Sequence, residues 1–286
     1  MPSHIYTRVG YWKESIASNA EAARVAKAES SGHDQLHAMD YQVYGYLQLG
    51  QDKKAKAAID EMSTVAGFTE TFIPAPYALA ISPARYAVER GDWKAATELQ
   101  VRSSPLAHVQ AITHFARALG AARSGNSAAA KADIAKLAEL RDKLREAKDA
   151  YWSEQVDIQW QVASAWVLYA EGKHDEALKA MSAAADAEDR TEKHPVTPGV
   201  PKPARELYGD MLLARGMAKE TLAAFEATLK KEPNRLGAYV GAAQAAEKAG
   251  DKAKAREYSK KVITIASNAD KTRAEVADAR AMLKQR

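Results

Sequence analysis

Residues 202–234 read KPARELYGDMLLARGMAKETLAAFEATLKKEPN, two stretches of helical character joined at Gly216. A glycine ends a helix in the left-handed region without a Cβ penalty, and the polar residues after it restart one. Gly209 in the first stretch and Thr221 in the second are placed where two antiparallel helices approach most closely. Working outward, the same turn recurs at Gly10, Gly50, Gly91, Gly125, Gly172 and Gly250, at spacings that are 34 or exceed it by a short insertion. Five residues after the seven glycines stand Ser15, Ala55, Ala96, Ala130, Ala177, Thr221 and Ala255, all small. Roughly a third of the chain is Ala, Gly, Ser or Thr, so seven in seven would arise by chance about once in a thousand. Seven residues before each glycine, on the facing helix, six of seven are again small: Ser3, Ala84, Ala118, Ala165, Gly209 and Ala243, against Val43.

Composition agrees with helix pairs. Of 286 residues 61 are Ala, the best helix former, while the β-branched and aromatic residues that strands need are sparse. The chain has no Cys, which removes disulfides, thiolate zinc sites and cysteine nucleophiles. The excess of 41 basic over 37 acidic residues is spread along the chain, so nucleic-acid binding is not indicated. No apolar run approaches the ~18 residues that a bilayer span requires, and the opening residues lack the apolar core of a signal peptide.

The offsets of residues 202–234 resemble the tetratricopeptide repeat, with Tyr208-Gly209, Gly216, Phe225 and Pro233 at its characteristic places and Thr221 departing from the usual Ala. The next unit keeps Tyr239, Ala243, Gly250 and Ala255 but has Ser267 in place of the closing proline. Nearly the whole chain further resembles one bacterial group of tetratricopeptide proteins, through phrases read here as MPSHIYTRVG (1–10), LHAMDYQVYGYLQLG (36–50), SPARYAVERGDW (82–93), HFARALGAARSG (114–125) and HPVTPGVPKPARELYGDMLL (194–213). The resemblance implies an all-α, right-handed superhelix of about seven antiparallel helix pairs over residues 1–286, with residues 270–285 as a capping helix. In that group the MPSHI phrase follows further repeats, so the chain is expected to be the C-terminal portion of a longer one. The group brings no assigned activity with it.

Proline marks the departures from a plain repeat. Residues 63–76 and 187–203 cannot be helical throughout, and the second, with four prolines and a glycine, is expected either to pack on the groove or to hang as a mobile loop. Pro83, inside YALAISPARYAVERG, allows two readings: a helix that begins there with Ser82 as its cap, or a longer kinked helix.

The resemblance also implies which side chains line the concave groove, since first helices face it. They include His4 and Arg8 from the first unit, then His37, Asp40 and Tyr44, then Arg85 and Glu89. The middle units supply Phe115, Leu119, Arg123 and Trp166, and the last ones Glu206 and Asp210. The lining grades from basic and imidazole groups, through aromatic and aliphatic ones, to carboxylates. A ligand carboxylate is therefore expected at the guanidinium forks of Arg8, Arg85 and Arg123, an apolar portion against Phe115, Leu119 and Trp166, and a basic end at Glu206 and Asp210.

Each of these has a plainer structural reading. Arg85 and Glu89, four residues apart, would pair with each other on one helix face. His4, His37 and Asp40 make a metal-ligand set by type, but without an HExxH-type spacing they read more simply as hydrogen-bonded lining, and no metal or other cofactor is assigned. Trp152, Trp160 and Trp166 could wall a ligand, though helical spacing makes at least two of them interior. His108 and His114 read as packing or surface residues, and His194 as one that orders its loop. The basic cluster at residues 252–261 reads as a solvated convex face.

No phosphate-binding loop, dinucleotide fingerprint or nucleophile elbow is present, so an enzyme has little to stand on. The leading expectation is a non-catalytic scaffold that holds a protein or peptide in its concave groove. Its rival is a small-molecule or metal site, enzymatic or not, at the His/Arg end; an open groove favours the first and a closed pocket the second. Oligomeric state and compartment are left open, cytoplasm and periplasm alike, because longer members of the group carry an export signal.

Overall fold

A computed structural model describes residues 2–284. Among these residues there are fifteen helices and no strand, and they pack in chain order as a helical solenoid. Seven antiparallel pairs form around the seven glycines: α1 (Pro2–Arg8) with α2 (Trp12–Ala28), α3 (Gly32–Gln48) with α4 (Asp52–Met62), α5 (Pro74–Glu89) with α6 (Trp93–Thr97), and α7 (Ala107–Arg123) with α8 (Ser127–Glu146). The series continues with α9 (Ala150–Ala170) and α10 (His174–Asp189), α11 (Ala204–Ala214) and α12 (Ala218–Lys231), α13 (Leu236–Lys248) and α14 (Lys252–Ile265), and ends with α15 (Ala274–Lys284). The terminal helix begins four residues later than expected, after a turn at residues 270–273, and residue 285 lies outside the described residues.

The repeat register holds at every turn. All seven glycines have φ between +64° and +80°, the region that favours glycine. The small residues that follow them are buried, from fully buried Ser15, Ala55, Ala96, Ala130, Ala177 and Thr221 to Ala255 at 3% exposure. Two glycines are required twice over. A Cβ on Gly10 would collide with the Pro233 carbonyl, and one on Gly50 would lie 2.8 Å from Cβ of Ala269.

Pro83 lies inside α5, which runs unbroken from Pro74 to Glu89, so the longer-helix reading is the right one. Ser82 is not a cap. Its hydroxyl donates to Asp40 Oδ1 at 3.3 Å across to α3.

Those two close glycine contacts reflect a closure that repeat counting does not contain. The turns of the first pairs abut the loops that join the last ones. Trp12 Nε1 donates to the Asn234 carbonyl at 2.7 Å, Asp270 N donates to the Gly50 carbonyl at 2.9 Å, and Arg273 pairs with Asp52 at 2.6 Å. Arg235 is the centre of this junction. Fully buried, it donates from Nε to Glu206 (2.7 Å), from Nη1 to the Tyr44 hydroxyl (2.6 Å) and from Nη2 to Glu89 (2.6 Å), tying the end of the solenoid to α3 and α5. Burial works against the guanidinium charge, but the two carboxylates outweigh it and hold its pKa well above the ordinary value.

Candidate functional site

The inner face of the solenoid is occupied by the chain itself. Residues 190–203, between α10 and α11, form a strap with no regular structure that lies across the first helices. Prolines at 195, 198, 201 and 203 remove N–H donors and restrict φ, so the strap cannot satisfy its carbonyls by forming a helix and needs donors from outside. The first helices supply them. Arg8 Nη2 donates to the carbonyls of Lys193 and His194, both at 3.2 Å; the Tyr41 hydroxyl donates to the Val196 carbonyl at 3.1 Å. The Tyr77 hydroxyl and Arg85 Nη2 both reach the Gly199 carbonyl, at 3.1 and 2.8 Å. In return His194 N donates to the Tyr151 hydroxyl at 2.8 Å, and His194 Nδ1 accepts from Val196 N at 3.2 Å, so His194 orders the strap as its sequence context suggested.

This arrangement corrects several expectations. Arg85 is fully buried and does not pair with Glu89; its Nη1 donates to Asp40 at 2.6 Å, because the α3 carboxylate lies directly across the packed first helices. Its desolvation is outweighed by that carboxylate, which keeps its pKa above the ordinary value. Glu89 is taken by Arg235 and by Gln48 Nε2 at 3.2 Å. Glu89 is therefore not open to a ligand, and Arg85 keeps only Nη2 beyond its pair with Asp40, which the strap occupies. Arg123 is stacked between Trp93 and Trp166, 4.6 and 4.1 Å from their ring centroids, with Asp210 at 4.0 Å. Phe115, Leu119 and Trp166 are in the interior at 3% exposure or less, since α5, α7 and α9 pack tightly enough to enclose the positions expected on the groove. Tyr44 is likewise buried, between Arg85 and Arg235.

The strap itself meets part of the expected lining. The strap's Lys202 pairs with Asp210 at 2.8 Å and with Glu206 at 3.4 Å, where a basic ligand end was anticipated. Its Val200 and Pro201 line a small space with Phe115. At the basic end, however, Arg8 and Arg85 meet main-chain carbonyls of the strap and no carboxylate of it.

His4 and His37 do come together, Nε2 to Nε2 at 3.1 Å, with Tyr41 stacked 4.6 Å from His4. Burial, and then the neighbouring His4, lowers the pKa of His37 to about 4, so the pair is neutral at pH 7 and one ring donates to the other. Asp40 is not with them, being held by Arg85 and Ser82, and no group of three metal-ligating side chains occurs among the described residues.

Beneath the strap lies a cavity whose walls include Tyr77, His108, Trp152, Gln155, Gln159 and Glu188. About 50 Å³ of it admits the centre of a water molecule, room for about four waters. His108 stacks on Trp152 at 4.0 Å between centroids, and burial lowers its pKa to about 3. Glu188 goes the other way: burial raises its carboxyl to about 7, against a hydrogen bond from Ala204 N at 2.7 Å. Sequence reasoning set His108 aside as packing and missed Gln155 and Glu188 altogether, since on their helices they read as an ordinary amide and an ordinary acid. Of the three tryptophans, Trp152 and Trp166 are interior, and Trp160 is half-buried under Arg141.

No family model matches the chain, and no curated protein does either. Among solved structures the chain is similar to a tetratricopeptide repeat protein from Parabacteroides merdae, at 13% sequence identity and a TM-score of 0.50, over 95% of this chain and 98% of that one. None of the helices among the described residues is long and apolar enough to cross a membrane. The structural likeness, extending over nearly all of both chains, shows a tetratricopeptide-like solenoid fold.

Proposed function

We propose that the chain is a non-catalytic protein-binding scaffold, its seven pairs and terminal helix acting as one unit, whose inner face recognises the main chain of an extended, proline-containing peptide. One observation carries this reading: five side chains from α1, α3, α5 and α9 hydrogen-bond the backbone of the strap, Arg8, Tyr41, Tyr77 and Arg85 at its carbonyls and Tyr151 at the His194 amide. Donors aimed at carbonyls hold any segment that cannot fold onto itself, which is the recognition mode of an extended-peptide site. The strap is its resident occupant, and a partner peptide of the same character takes its place.

The test uses a labelled peptide of residues 190–203 and a full chain in which residues 192–201 are replaced by a glycine-serine linker of equal length. Saturable binding to the vacated chain is expected, at least tenfold tighter than to the intact one, and Tyr41→Phe with Tyr77→Phe should weaken it. A vacated chain that retains its helix content and binds no peptide contradicts the reading, as does equal binding to the intact chain.

A further inference from the structure

The cavity under the strap holds polar atoms that the protein leaves unsatisfied. His108, 4% exposed, has no partner for Nε2, and Gln155, 6% exposed, has none for the donor Nε2. Gln159 Oε1, an acceptor, is also unpaired. Buried groups of this kind are nearly always hydrogen-bonded, and three around one space point to something that fills it.

The charges define what that is. Every cation lining the cavity is already committed. Lys193 pairs with Glu232, Arg205 pairs with Asp186 and with Asp189 at 2.7 Å, and Lys231 Nζ donates to the carbonyls of Glu188, Asp189 and Thr191. The Glu188 carboxyl, by contrast, accepts only the Ala204 amide and has no cationic side chain in a salt bridge with it. A carboxyl with this surplus, lining the same cavity as the acceptor Gln159 Oε1, suits a positive charge. The Gln155 donor needs an oxygen as well. We infer that the cavity is a binding site for a small aliphatic amine carrying a hydroxyl or carbonyl oxygen, with Glu188 and Gln159 receiving the ammonium group and Gln155 donating to the oxygen, beside His108.

The ordinary size of such a ligand, five to seven non-hydrogen atoms by rough count, matches a space for about four waters. Binding should strengthen from pH 6 to pH 8 as Glu188 loses its proton; of the charged groups around it, Glu232 and Asp189 oppose and Lys231 favours that loss, while Lys193 and Arg205, which line the same cavity, are paired with Glu232 and with Asp186 and Asp189. This inference goes beyond the peptide reading, because it requires the strap in place. A chain with residues 192–201 replaced should lose the amine whether or not it gains the peptide, so the two can fail separately.

The experiment titrates the full chain with 4-aminobutan-1-ol, n-butylammonium, 1,4-butanediol and 4-hydroxybutyrate, followed by protein NMR and by thermal shift. The amino alcohol should bind at least tenfold tighter than the diol or the anion. Glu188→Gln should reduce its affinity at least tenfold, and Gln155→Leu should bring it down to that of n-butylammonium while leaving n-butylammonium itself unchanged. Equal binding of the anion, no binding of either amine at millimolar concentration, or an unchanged affinity in folded Glu188→Gln would each overturn the inference. Should Glu188→Gln fail to fold, the ligand series on the unmodified chain and Gln155→Leu still decide it.

Discussion

Replacing Arg235 by Met keeps an apolar stem in the junction and removes the guanidinium that joins the two ends of the solenoid. Glu206 and Glu89 would then be left with side chains 1% and 5% exposed and without their main cation. Removing one partner of a buried ion pair costs roughly 3–5 kcal/mol, mostly as the desolvation of the stranded charge. Here Glu206 retains Lys202 at 3.4 Å and Glu89 retains the Gln48 amide at 3.2 Å, which moderates each loss, while two carboxylates are stranded in place of one. The two corrections offset, and a loss of about 3–5 kcal/mol is expected. Urea unfolding at pH 7, followed by circular dichroism, measures it. Adding Glu89→Gln to Arg235→Met should recover about 1–3 kcal/mol, the penalty of one charge left unsatisfied. Lys254→Met, which breaks the partly exposed pair with Glu226, should change stability by less than about 1 kcal/mol. A loss below about 1 kcal/mol for Arg235→Met, or no recovery in the double variant, would refute the claim that this junction holds the ends together.

Two further perturbations follow from packing and protonation. Ala177 is fully buried between α9 and α10, so Ala177→Leu should overpack the pair and cost about 1–3 kcal/mol in the same assay; a neutral result there would mean that the small residues are not packing sites. His37, ordinarily titrating near 6.5 and lowered to about 4 in the fold, contributes stability that is complete above pH 6.5 and is lost as pH falls towards 4. Glu188, raised from 4.5 to about 7, does the reverse: its contribution is complete below pH 4.5 and is lost as pH rises through 7. Between pH 4.5 and 6.5 the two oppose each other, so Glu188→Gln should steepen the loss of stability on acidification and leave the variant more stable than the parent at pH 8. Parallel stability curves for the two proteins would contradict these assignments.

The parts of the fold that were legible in sequence are those fixed within one repeat. A turn glycine and the small residue five positions on both answer to local geometry, and each of the seven turns occurs where its glycine stands. The meeting of His4 and His37 was also within reach, since neighbouring first helices carry them at like positions. Closure of the solenoid was not. It depends on the accumulated rotation of all the pairs, and Arg235 finds its partners 29, 146 and 191 residues away with no local signature. The same reason explains Arg85 and Glu89: spacing along one helix suggested a pair, whereas the shortest approach runs between helices, to Asp40 and to Arg235. The prolines at residues 195–203 showed that the strap is not helical, and only the positions of Tyr41, Tyr77 and Arg85 in space determine where it lies.

The central claim is that the strap occupies the inner face as a ligand would, and limited trypsin digestion at the Lys193–His194 bond tests it directly. Lys193 is held by Glu232 through its ammonium and by Arg8 through its carbonyl, and the next residue by Tyr151. Cleavage should therefore require the chain to open, and its rate should rise with urea as steeply as global unfolding does. Rapid cutting at Lys193 in native buffer, insensitive to urea and leaving the helices folded, would show a strap that hangs free of the inner face, and would contradict the account.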